Sequence, residues 1–230
     1  LRPDKSMFAL VDYDTHFNVL NAAMLNGSVT FADKSVLSAV VDYRKAPYLS
    51  AWTALQGQPF LRLYDMIKAK AKEEIDQLAI DRTATYKSAM VGYARPINEK
   101  LQFSVDATVA DISGTIASGG VDAVLPQGTE YFASAQLIGS GLVTPGDMYI
   151  GALRYAHRPD SDLYVLDFST RYLWTPDLRI SPRLRLGYRM GSEIDLKEVS
   201  VMPSILFNYL FKPDLSFELE AVANWTRRDQ

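Results

Sequence analysis

Cysteine is absent from the 230 residues, which excludes disulfides, thiolate zinc sites and cysteine nucleophiles together. Histidine is nearly absent too. His16 and His157 are the only imidazoles available to a base–nucleophile pair. His157 stands in Tyr155-Ala-His-Arg-Pro159 beside an expected loop, and His16 in Asp14-Thr-His-Phe17; both read as loop or interface residues. There is no glycine-rich phosphate loop and no metal signature, and Asp12 with Asp14 make two carboxylates without the rest of a calcium loop. No cofactor, no metal and no enzymatic activity is expected.

An excess of one charge is missing as well. Lys and Arg number 24 against 27 Asp and Glu, a net charge of −3, with no basic block and no run of five like charges. Nucleic acid is therefore not an expected partner. No window of eighteen residues is wholly apolar, so no membrane-spanning helix is expected. The opening Leu1-Arg-Pro-Asp-Lys5 lacks the basic and apolar regions of a signal peptide. A removed leader, or a longer parent chain, is expected.

What the sequence does contain is alternation with a period of two. In 215–225 the odd positions are Leu215, Phe217, Leu219, Ala221, Ala223 and Trp225, set against Ser216, Glu218, Glu220 and Asn224. In 178–189 Leu178, Ile180, Pro182, Leu184, Leu186 and Tyr188 alternate with Arg179, Ser181, Arg183, Arg185, Gly187 and Arg189. Leu101, Phe103, Val105, Ala107 and Val109 alternate with Gln102, Ser104, Asp106 and Thr108. Tyr164, Leu166, Phe168, Tyr172 and Trp174 are set against Asp167, Ser169 and Arg171. Each ribbon has one greasy face and one charged face.

This reading predicts eleven strands, at 6–14, 17–30, 34–45, 83–95, 100–112, 129–142, 147–157, 162–174, 178–190, 196–210 and 215–227. Short connections fall at Phe31-Ala-Asp-Lys34, Pro96-Ile-Asn-Glu-Lys100, Val143-Thr-Pro-Gly-Asp147, Thr175-Pro-Asp177 and Phe211-Lys-Pro-Asp214; longer ones fall at 46–82, 113–128 and 191–195. Pro presets the turn backbone and Asp is expected to bond its own chain two residues on. One segment breaks the period: 59–80 is composed of helix formers, with Pro59 placed for a first turn and apolar Leu63, Met66, Ile67, Ile75, Leu78 and Ala79. It is expected to be a helix inserted in a long loop, to cap the structure, plug it or touch a partner.

Short turns on one side and long loops on the other, with alternating strands, form the pattern of a transmembrane antiparallel up-and-down β-barrel. The fold class expected is all-β, with about 11–12 strands in one barrel domain over 1–230. Aromatic residues near strand ends, Tyr43, Tyr93, Tyr155, Tyr172, Trp174, Tyr188, Tyr209, Phe211 and Trp225, suit the headgroup depth of a bilayer. They are also ordinary strand formers. The rival is a soluble β-sandwich or lipocalin-like barrel with the apolar face turned inward. Against it, the polar face mixes Ser, Gly, Thr, Asn and Asp with Arg and Glu, which suits a wet or salt-bridged lumen.

On these turns and this patterning the chain resembles the transmembrane domain of Gram-negative outer-membrane β-barrel proteins, over nearly its whole length. The stretches 41–58, VDYRKAPYLSAWTALQGQ, and 80–88, IDRTATYKS, are similar to the barrels that end larger export proteins. The resemblance implies an outer-membrane location, lipid as a partner, and periplasmic or extracellular proteins or further domains of the same protein as others. It also implies an even strand number and a final aromatic residue, whereas eleven strands are expected here and the chain ends Thr226-Arg-Arg-Asp-Gln230. A closing strand is expected to be missing, supplied by another chain, or uncounted.

The lumen-facing charges expected are Asp106, Asp167, Arg171, Arg179, Arg183, Arg185, Arg189, Glu218 and Glu220. If the turn at 175–177 pairs its flanking strands, Asp167 falls opposite or near Arg185 and Arg171 near Ser181, with Glu218 and Glu220 reaching toward the same stripe. Two functions follow. The stripe is the charged wall of a transport or export pore, or it is an internal ladder of ion pairs bracing a sealed, anchoring barrel.

Overall fold

The computed structural model describes residues 4–191, 196–212 and 215–229. Twelve strands form one sheet: β1 (Lys5–Asp14), β2 (Val19–Thr30), β3 (Val36–Ala46), β4 (Ala84–Pro96), β5 (Leu101–Ile112), β6 (Gly128–Ser140), β7 (Met148–Arg158), β8 (Ser161–Leu173), β9 (Leu178–Gly191), β10 (Lys197–Lys212), β11 (Leu215–Val222) and β12 (Trp225–Asp229). Strand order in space is strand order in sequence from β1 to β11, an up-and-down antiparallel meander. Among the described residues no ladder joins β1 to β11, so hydrogen bonds do not close the sheet.

The twelfth strand arises from one missing donor. β11 and β12 lie on the same edge of β10 in a single register, Ser204 facing Val222 and Val201 facing Trp225. Between them stands Pro203, whose carbonyl accepts a bond from the Ala223 amide at 3.0 Å. Having no N–H, Pro203 cannot return the second bond of that pair. The expected ribbon at 215–227 is therefore one ladder read as two pieces.

Turn chemistry differs in detail from expectation. Asp147 accepts bonds from the backbone amides of Leu142, Val143 and Thr144 at 2.8, 2.9 and 2.7 Å, and Asn98 accepts from Lys100 and Leu101. Burial disfavours the Asp147 carboxylate, but these amide donors outweigh it and hold its pKa below the ordinary carboxylate value. Asp33, bonded by the Ser35 hydroxyl and amide, is likewise held low. In the turn after Trp174, however, the side chain that closes the loop is Thr175, whose Oγ1 accepts the Leu178 amide at 3.0 Å, and not Asp177. The matching turn includes residues 213–214, which lie outside the described residues, as do 192–195 of the expected loop at 191–195. On the loop side, length is carried by 47–83 and 113–127; the β7–β8 connection is only Pro159 and Asp160.

The chain divides into two compact units, Leu1–Ser28, Ser38–Met90 and Thr108–Glu130 in one, and Val29–Leu37, Val91–Ala107 and Tyr131–Gln230 in the other. The first holds the helical insertion. The expected single helix over 59–80 is two, α1 (Leu63–Ala69) and α2 (Lys72–Asp81), preceded by a 3-10 turn at Ala51–Leu55. Pro59 lies ahead of α1 and not in its first turn. The break has a geometric reason: at 3.6 residues per turn, Met66 and Ile75 would point about 180° apart on one straight helix. Extended backbone at Lys70 and Ala71 turns both inward, where Met66, Ile75, Leu78 and Ala79 share a core with Leu49 and Ala54.

That unit is tied together by polar clamps. Arg82, 4% exposed, donates to the carbonyls of Asp122 at 3.0 Å and Val121 at 2.8 Å and to that of Ser118, fixing the 113–127 loop to the end of α2. Gln58 adds a bond to the Gly119 carbonyl at 2.9 Å. His16 pairs with Asp76 at 3.1 Å, joining the β1–β2 turn to α2. Tyr48 donates to Asp12 at 3.0 Å, which holds the phenol above its ordinary pKa.

In the second unit the sheet leaves large apolar side chains exposed. Phe168 is 50% exposed and Phe217 62%, and Leu166, Leu184, Leu219 and Trp225 are exposed too. Opposite Phe168 and Leu166 in the strand alternation, Asp167 is 8% exposed.

Candidate functional site

The polar face of β6–β12 is assembled by register. Asp167 on β8 faces Ala152 on β7 and Arg185 on β9, as the turn at 175–177 led one to expect. Its two oxygens take one arginine each: Oδ1 accepts from Arg185 Nε at 2.9 Å and Oδ2 from Arg154 Nη1 at 2.6 Å. A buried carboxylate bridged by two guanidinium groups satisfies the demand that buried charge be paired. Arg154 was not among the expected charges, because only the β7–β8 register brings it diagonally beside Asp167. One strand further, Ser134 donates to Asp106 at 2.6 Å.

Toward the loop end, Arg189 bonds the Ser161 hydroxyl at 3.2 Å and lies 3.6 Å from Asp160. It also faces Glu198, which pairs with Arg228. Toward the turn end the pattern changes. Arg183 faces Ser169 on one side and Ser204 on the other. Arg171 faces Met148, and Arg179 faces Leu173 and Asn208. Glu218 takes its hydrogen bond from Asn208 and not from an arginine, and Glu220 faces Leu206. Arg171, Arg183, Ser169, Ser181, Ser204 and Glu220 border a cavity of about 250 Å³.

The expected interface aromatics fall on the other face or near strand ends. Tyr172 and Trp174 meet edge to face at 6.2 Å, and Tyr209 and Phe211 at 6.4 Å, all near the tight turns. Toward the loop end Tyr155, Tyr164 and Tyr188 are consecutive partners across three strands, Tyr155 and Tyr164 being 4.9 Å apart, with Trp225 facing Val201 one row in. Tyr43 and Tyr93 are half-buried on β3 and β4.

His157 Nδ1 lies 2.8 Å from Asp162, which also accepts from the Tyr155 hydroxyl at 2.8 Å. Asp14 accepts from the His16 and Phe17 amides and so closes a turn. Among the described residues no three His, Asp or Glu side chains converge to hold a metal ion. No protein-family model matches the chain, and no curated protein matches it.

Proposed function

We propose that this sheet is the wall of an outer-membrane β-barrel in a Gram-negative bacterium, and that it serves as a pore or export channel with a charged lumen. The observation that carries the reading is the half-exposure of Phe168 beside a buried, doubly bridged Asp167. In water so much exposed apolar surface is an aggregation liability, whereas in hydrocarbon it is the favoured arrangement. Spacing supports it. Tyr164 and Trp174 are ten residues apart on one ribbon, about 33 Å along an extended strand. At the usual tilt of about 40° that projects to roughly 25 Å, the height of a barrel's apolar band between its aromatic girdles.

Closure is part of the proposal, because free N–H and C=O groups along β1 and β11 are not tolerated in lipid. The partners are outer-membrane lipid, periplasmic or extracellular proteins, and further domains of the same protein. A sealed, anchoring barrel is the second reading, favoured by the Arg154–Asp167–Arg185 bridge, which braces the wall from inside. Steady conductance of the purified protein in a planar bilayer, with ion selectivity that shifts in Arg183→Glu, supports the channel; silence supports the brace. A chain that remains a soluble monomer without detergent sinks both.

A further inference from the structure

The arginine stripe is divided. Arg185 and Arg189 are matched to Asp167 and Asp160, while Arg171 and Arg183 have no carboxylate within ion-pair distance and no hydrogen-bond partner among the described residues. Both border the same 250 Å³ cavity, where they are joined by the hydroxyl residues Ser169, Ser181 and Ser204. The register makes this convergence specific: Ser169 and Ser204 flank Arg183 on either side, and Arg171 lies two residues beyond Ser169 on the same face. Cross-strand diagonal neighbours of that kind are about 7–8 Å apart, within the joint reach of two guanidinium forks.

From this we infer that the cavity binds a small soluble oxyanion, a solute bearing a phosphate, sulfate or carboxylate group. Arg171 and Arg183 supply charge-assisted N–H donors, and the serine hydroxyls supply neutral ones. Guanidinium geometry matches oxyanions in pairs of parallel bonds, which an isolated lysine cannot reproduce. The volume equals roughly eight waters, so a hydrated anion fits without displacing protein. Glu220 borders the same cavity and bonds neither arginine, which leaves the site with one net positive charge and a built-in opponent of anion binding. This site deepens the channel reading, resting on it only in that the polar face must meet water.

The test is calorimetric titration of the detergent-solubilised protein with inorganic phosphate at low ionic strength. Saturable binding of one phosphate per chain is expected, weakened tenfold or more in Arg171→Gln and in Arg183→Gln. Arg228→Gln, which removes a charge elsewhere on the same face, should leave it within twofold. Glu220→Gln should tighten binding several-fold, a gain that misfolding cannot produce. No saturable binding, equal losses in all three arginine variants, or a Glu220→Gln protein no tighter than the parent overturns the site. Anionic phospholipid added to the micelles should not compete; competition would assign the arginines to a headgroup and overturn the soluble ligand. Conductance separates the two proposals, since a conducting protein that ignores phosphate loses only the site, and a silent one that binds phosphate loses only the channel.

Discussion

The helical insertion and the β6–β12 sheet handle apolar side chains in opposite ways. Around α1 and α2, Leu49, Ala54 and Met66 are at most 1% exposed and form a closed apolar core, with the buried polar Arg82 satisfied by backbone carbonyls. In the sheet, many large apolar side chains are exposed, and the buried positions are Gly139, Ala152, Ser161, Asp167 and Gly187, four of them small. One chain thus carries two different arrangements, and under the proposed function the sheet is the one that meets lipid. That difference makes the two regions respond differently to the same kind of substitution.

The largest effect is expected in the helical core. Met66→Ala should cost about 2–5 kcal/mol of local stability, because a fully buried side chain leaves a cavity. Proteolysis within 47–83 reads it; unchanged protection would mean that this core does not hold the insertion. On the sheet, Phe168→Arg should cost about 2–4 kcal/mol if the side chain faces the middle of a bilayer, and almost nothing if it faces water. Unfolding from lipid vesicles decides between them, and a neutral result erases the contrast.

A smaller effect is expected from Asp167→Asn. It should lose about 1–3 kcal/mol, because Arg154 and Arg185 give up their shared carboxylate while remaining partly solvated. A double-mutant cycle with Arg185→Gln checks that the loss belongs to the bridge. The smallest effect concerns Asp147. Its carboxyl is held below the ordinary value of 3.8, so its contribution is complete above that pH and fades as acid carries the pH down through the lower folded value. Protection of the Leu142, Val143 and Thr144 amides, relative to their intrinsic exchange rates, should fall in that range, and Asp147→Asn should remove the pH dependence of that protection. Equally low protection in the parent at neutral pH would leave the turn without this lock.

The strands were legible because alternation leaves a local trace. The expected 178–190 is Leu178–Gly191, and the expected 162–174 is Ser161–Leu173. The Asp167–Arg185 pair was legible for the same reason, since a tight turn fixes the register on both sides of it. Arg154 was not, because it reaches Asp167 diagonally and not as its direct cross-strand partner. The break between α1 and α2 is invisible to propensity, as Lys70 and Ala71 are good helix formers; it is dictated by Met66 and Ile75 having to reach one core. The Arg82 clamp is equally hidden, since its acceptors are backbone carbonyls some forty residues away and carry no side-chain signature.

Pro203 gives the outer margin of the sheet a weak seam. A fraying event that starts at Asp229 and unzips toward the interior meets, after five residue pairs, a rung with only one bond, and can halt there with Leu215–Val222 still attached. The one-bond rung at Pro203 thus divides the last five paired residues from Leu215–Val222 along the same edge of β10.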